Sequence, residues 1–311
     1  MRSRLNEDPE FLLERTLEKK SSDLHRRFKD SVLALTRMLS NYQQVFPNFT
    51  DHTELHSLNV INFCNHLIGK KNVIQLNSDE IYVLLMSCYF HDIGMGINEK
   101  DYKSFMNLLL TDKDSIINNT GSESGNNDMA QMIRKLHNEF SGMFIKKYAE
   151  FFDIPSDEHV FAIAQISRGH RKTDLLNEKE YPPDLLLPNG NKICLPYLSL
   201  LIRLADEIDV ASDRNSILLY SIETIIDNAS EDSVIAFNTH EAIKTLIIEE
   251  DCFSLIVETE DERIKSNIKE LVKKMQETLD YCRKVAMERS PFRITQEKIR
   301  IMELKDSVNV I

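Results

Sequence analysis

Residues 78–94 read SDEIYVLLMSCYFHDIG, and this stretch sets the class of the fold. Ser78 reads as an N-cap, Gly94 as a stop, and the run between them is apolar enough for a helix buried on every side. His91 and Asp92 then stand side by side where that run ends. Unpaired polar groups are costly to bury, so the pair either belongs to a site or marks the point where a helix leaves the core.

Working outward, most of the chain shows helical periodicity, and only eight glycines and eight prolines interrupt it. Residues 9–46 carry Leu24, Phe28, Val32, Leu35, Leu39, Tyr42 and Phe46 at spacings of three and four, which predicts one long helix ended by Pro47. The next helix is TDHTELHSLNVINFCNHLIG, with Asp51 as N-cap, Glu54 completing a capping box and Gly69 as the stop. Residues 114–130 are polar and aperiodic and read as a loop. Helices are predicted over 130–151, 156–170 and 195–212. Beyond residue 217 the texture changes: AIKTLIIEEDCFSLIVETE reads as two β-branched strands joined by an acidic turn, and a charged helix follows over 261–289. The expected class is mainly α, a helical bundle over 1–216 with a small C-terminal α/β appendage over 217–311.

Composition narrows the function classes. The chain has 311 residues, 42% of them hydrophobic and 28% charged, with no apolar run long enough to span a bilayer. The N-terminus MRSRLNEDPE does not lead into a signal-like segment, so the expectation is a cytoplasmic protein without membrane association. Cys64, Cys88, Cys194, Cys252 and Cys282 form no CxxC pair and read as free buried thiols. A net charge of −12 disfavours non-specific nucleic-acid binding, so an anionic substrate would need metal ions or clustered arginines to hold it.

The informative residues are polar groups interrupting apolar helical faces. His56 sits one turn into its helix, His91 and Asp92 end the most hydrophobic one, and His170 closes AIAQISRGHRK beside Arg168, Arg171 and Lys172. Asp206 stands in YLSLLIRLADEID, where pairing with Arg203 one turn away is the structural alternative. His137, in IRKLHNEFSG, is a weaker candidate. Imidazole and carboxylate together suit Zn, Mn, Fe, Ni or Mg, and helical scaffolds gather such ligands one or two per helix. Singly, each histidine is more often a hydrogen-bonded core or surface residue. The joint order H…HD…H…H…D is what carries weight.

In that order the chain resembles the HD-domain superfamily of metal-dependent phosphohydrolases, over about residues 45–215. The wording DHTELHSLNV, YFHDIGMGI and RLADEID is most similar to HD domains associated with GHKL-type ATPases in bacteria, and RGHRK is similar to the helical domain of exopolyphosphatases. The resemblance implies an HD-type bundle with one or two divalent ions. His56, His91, Asp92 and Asp206 would hold the first, and Asp92 would bridge to a second on His137 and His170. It also implies Arg168, Arg171, Lys172 and Arg214 as phosphate clamps, with His91 and Asp92 at the catalytic centre. Departures are equally definite: there is no GYP signature, no HDxxED, no helicase motif and no ATPase portion.

Rival readings are weaker. His52 and His56 have H-x-x-x-H spacing, but H-T-E-L-H lacks the glutamate at the position that zinc peptidases use as base. His159 lies eleven residues from His170, roughly 16 Å along a helix, too far to share an ion. His25, His66 and His240 read as structural. Two functions follow from the resemblance. One is hydrolysis of phosphoester or phosphoanhydride bonds in nucleotides or single-stranded nucleic acid. The other is a non-catalytic sensing or scaffolding module coupled to a partner ATPase.

Overall fold

A computed structural model describes residues 11–39, 54–111, 127–211 and 231–304. The fold is mainly α with a small C-terminal sheet, as the sequence predicts. Helix α1 covers Leu12–Lys20, α2 Ser22–Leu39, α3 Glu54–Val73 and α4 Ser78–Phe90. A short 3₁₀ turn, Ile93–Gly96, leads to α5, Glu99–Thr111. Then come α6 (Asn127–Tyr148), α7 (Asp157–Arg168), the two-residue strands β1 (Leu185–Leu186) and β2 (Lys192–Ile193), and α8 (Leu195–Ile208). The C-terminal part comprises α9 (Glu231–Ala242), β3 (Ile243–Ile248), β4 (Cys252–Val257), α10 (Glu262–Arg289) and β5 (Lys298–Glu303).

Helix α4 is the axis of the bundle. Every residue from Asp79 to Phe90 is buried, and α1, α2, α3, α7 and α8 pack around it. Each large side chain so enclosed contributes roughly 1.5–3 kcal/mol by leaving water. Its N-cap is Asn77 rather than the expected Ser78. The Asn77 side chain accepts from the backbone N–H groups of Asp79 (3.0 Å) and Glu80 (2.9 Å), and Glu80 accepts from Asn77 N–H in return (3.0 Å). Glutamate lies three residues after Asn77, not after Ser78, so the reciprocal box can close only there.

The predicted helix over 9–46 is two helices, because Ser21 adopts an extended conformation (φ −156°, ψ 103°) between them. Lys20 anchors that break, its Nζ donating to the carbonyls of Ile74 (2.9 Å) and Leu76 (2.7 Å). Residues 40–53, with Pro47, Asp51 and His52, lie outside the described residues. Gly69, at φ 71°, interrupts α3 where a stop is expected, and one further turn follows.

Gly94 was expected to end α4, but the helix ends at Phe90 and Gly94 serves packing instead. A Cβ there would lie 2.1 Å from the carbonyl oxygen of His137 and 2.8 Å from the amide nitrogen of Ser141. Glycine lets the 3₁₀ turn lie against the backbone of α6. Helix α5 follows without having been predicted, started by Asn98, whose side chain accepts from Asp101 N–H (2.9 Å). Most of the predicted 114–130 loop lies outside the described residues, and its last four residues already belong to α6.

At the C-terminus the two strands that the sequence predicts, β3 and β4, are present and pair antiparallel, with Ile248 opposite Phe253. The unpredicted β5 adds in parallel on the other side of β4, with Ile301 opposite Leu255. The expected boundary at 216/217 falls outside the described residues. The C-terminal half of α10 packs along α8, where the Cys282 thiol lies 3.7 Å from the Leu200 carbonyl.

Candidate metal centre

Five helices bring the predicted ligands to one point. His56 projects from the first turn of α3, His91 caps the C-terminus of α4 with Asp92 next to it, and His137 comes from the middle of α6. His170 follows the end of α7, and Asp206 stands in the last turn of α8. The four imidazoles and Asp92 are buried, whereas the Asp206 side chain is 19% exposed.

The geometry divides into two groups that share Asp92. His56, His91, Asp92 and Asp206 place ligand atoms within 4.8 Å of one another, and so do Asp92, His137 and His170. Asp92 Oδ2 lies 3.5 Å from His56 Nε2 and 3.3 Å from His91 Nε2. Its Oδ1 lies 3.3 Å from His137 Nε2 and 3.5 Å from His170 Nε2. Asp206 Oδ1 stands 3.2 Å from His56 Nε2.

Every imidazole is aimed by its other nitrogen. His91 Nδ1 faces the Cys88 carbonyl (2.9 Å), His137 Nδ1 that of Arg134 (2.7 Å) and His170 Nδ1 that of Ser167 (2.5 Å). His56 Nδ1 faces Asp209 Oδ2 at 2.6 Å. These oxygens can only accept, so each Nδ1 carries the proton, and in the neutral ring each Nε2 offers a lone pair to the centre. Yet the Nε2 atoms of His56 and His91 are 3.1 Å apart, and those of His137 and His170 are 2.9 Å apart. Lone pairs facing each other at that separation in a buried site repel unless positive charge lies near both. The donor set therefore fits divalent cations.

The electrostatics agree with this fit. Burial holds His170 well below its ordinary value, and His137 and His91 push the same way against the opposing pull of Asp92, so the ring is the neutral ligand form. Burial acts to raise Asp206, but the adjoining His56 and His91 rings oppose it and the balance holds the carboxyl well below the usual carboxylate range. Glu207, next to Asp206, is raised by burial and by Asp206 itself, with Arg171, Lys172 and Lys274 opposing.

The predicted phosphate clamps fall in different places. Arg171 and Lys172 are exposed and close enough to Glu207 to act on it electrostatically. The Arg168 side chain is engaged within the protein: Nε and Nη2 pair with Glu139 (2.8 and 3.1 Å), and Nη1 meets Gln165 (2.8 Å) and Glu180 (3.2 Å), tying α6 to α7. Arg214 lies outside the described residues. His159 is remote from the centre, between Asp79 (2.8 Å) and Ser156 (2.9 Å), and His25 pairs with Glu14.

Asp209 escaped the sequence reading. It is 2% exposed, accepts from His56, and is steadied by Asn59 Nδ2 (3.3 Å). Its signal was the second aspartate of RLADEID, three residues after a ligand. Ser141 was also missed. Its hydroxyl donates to the His91 carbonyl (2.7 Å) and accepts from Gly94 N–H (2.9 Å), fastening the His91–Asp92 backbone to α6.

A family model described as HD-CE matches residues 46–288. No curated protein and no solved structure matches the chain. Among the described residues no helix is long and apolar enough to cross a membrane.

Proposed function

The chain belongs to the HD-CE family, and from that premise and the buried His/Asp centre we propose that it is a metal-dependent phosphohydrolase acting on phosphoester or phosphoanhydride bonds of nucleotides or nucleic acid. One relationship carries the reading: the two oxygens of Asp92 face two separate imidazole pairs, so that with either pair Asp92 would hold a cation. Divalent ions, when bound, would supply a water nucleophile at neutral pH and offset the charge that develops on phosphorus.

The chain's own residues prepare the rest. Asp209 draws on the Nδ1 proton of His56 and so makes its Nε2 a stronger donor, and the carbonyls behind His91, His137 and His170 fix their tautomers. Asp206, the most exposed of the ligands, lies on the side from which substrate would approach. Arg171 and Lys172, exposed and within electrostatic reach of Glu207, would meet an anionic substrate, a local positive charge in a chain whose net charge is −12.

Elemental analysis of the purified protein, followed by a hydrolysis screen with manganese, nickel and magnesium, tests the proposal. Nucleoside triphosphates, cyclic nucleotides and single-stranded DNA are the substrates to include. Turnover of at least one, abolished by His91→Ala, is the expected result. Bound metal without turnover of any of them would instead favour a sensing module coupled to a partner such as an ATPase.

A further inference from the structure

We propose that Tyr281, on the C-terminal helix α10, is a positioning residue for the metal ligand His170. The inference rests on the two-group reading of the centre given above. His170 lies in the turn 169–173, and Arg203 of α8 holds both ends of that turn. Its Nε donates to the Gly169 carbonyl (2.7 Å), and its Nη2 donates to the carbonyl (2.9 Å) and the hydroxyl (3.0 Å) of Thr173. Arg203 is itself buried, and its guanidinium carbon lies 5.1 Å from the centre of the Tyr281 ring, within range of a cation–π contact.

The Tyr281 hydroxyl secures the chain just beyond. It accepts from Leu175 N–H (2.7 Å) and donates to Asp174 Oδ1 (3.2 Å). One further helical span along α10, Arg289 donates to the carbonyls of Leu176 and Tyr181 (3.2 Å each). The segment that leaves His170 is thus laced to α10. On the opposite side Gly169 lies so close to α8 that a Cβ would stand 2.7 Å from the Cβ of Ser199. His170 is aimed from a turn clamped between α8 and α10, whereas His56 and Asp206 stand on α3 and α8, and His91 and Asp92 directly follow the end of α4.

Manganese titration of the chelator-stripped full chain, followed by calorimetry, tests the inference with Tyr281→Phe, Tyr281→Leu and, as a marker, His170→Ala. The binding event that His170→Ala abolishes is the one that depends on this turn. Tyr281→Leu should weaken that event severalfold, less than the roughly ten- to a hundredfold that follows loss of a partner bonded directly to a ligand. Tyr281→Phe should weaken it less, and the other event should be unchanged. A purely structural tyrosine would lower the melting temperature and leave both events unchanged or weaken them equally, and either result overturns the proposal. Should Tyr281→Leu fail to fold, Tyr281→Phe decides: weakening of the marked event supports the role, and an unchanged titration overturns it. A wild-type chain with no event sensitive to His170→Ala would overturn the two-group reading along with it.

Discussion

Asp209 Oδ2 lies 2.6 Å from His56 Nδ1, with both residues all but inaccessible to solvent, so a carboxylate outside the two ligand groups is bonded to an imidazole that belongs to one of them. Asp209→Ala should therefore weaken metal binding by roughly tenfold or more without displacing any ligand. Titration of manganese into the stripped variant measures it. An affinity equal to wild type would mean that Asp209 only helps to seat α3 against α8.

Asp92 and His170 should behave unequally. Asp92 belongs to both groups and His170 to one. Asp92→Ala should depress the metal content of both groups, and His170→Ala that of one, as ions per chain by elemental analysis. Equal losses in the two variants would contradict a shared carboxylate.

The metal-free protein should lose stability as pH falls from about 6.5. His170 is held neutral well below its ordinary value of 6.5, so between that value and its folded one the unfolded chain binds the proton that the folded chain refuses. The same sign applies to Asp206, whose contribution is complete above its ordinary value of 3.8 and is lost below it. Melting temperatures of stripped protein should thus decline steadily between pH 7 and pH 5. A flat profile across that interval would show that the imidazoles protonate in the folded state at no cost.

Gly94→Ala should be destabilising by roughly 1–3 kcal/mol, since the added carbon meets backbone atoms that cannot rotate away. The backbone it would push against carries His137, so metal affinity at that group should fall with stability. Urea denaturation beside metal titration gives both numbers. A neutral substitution would mean that α6 can slide.

The clustered histidines and aspartates were legible because each is a polar group in an apolar helical setting, a conflict that local sequence alone exposes. Asp209 was not, because the last aspartate of the acidic tetrapeptide 206–209 is most simply read as solvated. Gly94 was read as a terminator because its true constraint is a backbone 43 residues away, which no local window contains. Ser21 divides the first helix without disturbing its apolar spacing, so periodicity ran through the break. Strand β5 pairs in parallel with β4, and parallel pairing leaves no hairpin turn to announce it.

His91, His137 and His170 are each fastened to a main-chain oxygen three residues earlier. Those main-chain oxygens fix which nitrogen of each ring faces the centre. The helices that carry these rings are held by their own apolar packing, so stripping with a chelator should leave the circular dichroism of the helices intact, and reloading should proceed at the pace of diffusion and dehydration rather than of refolding.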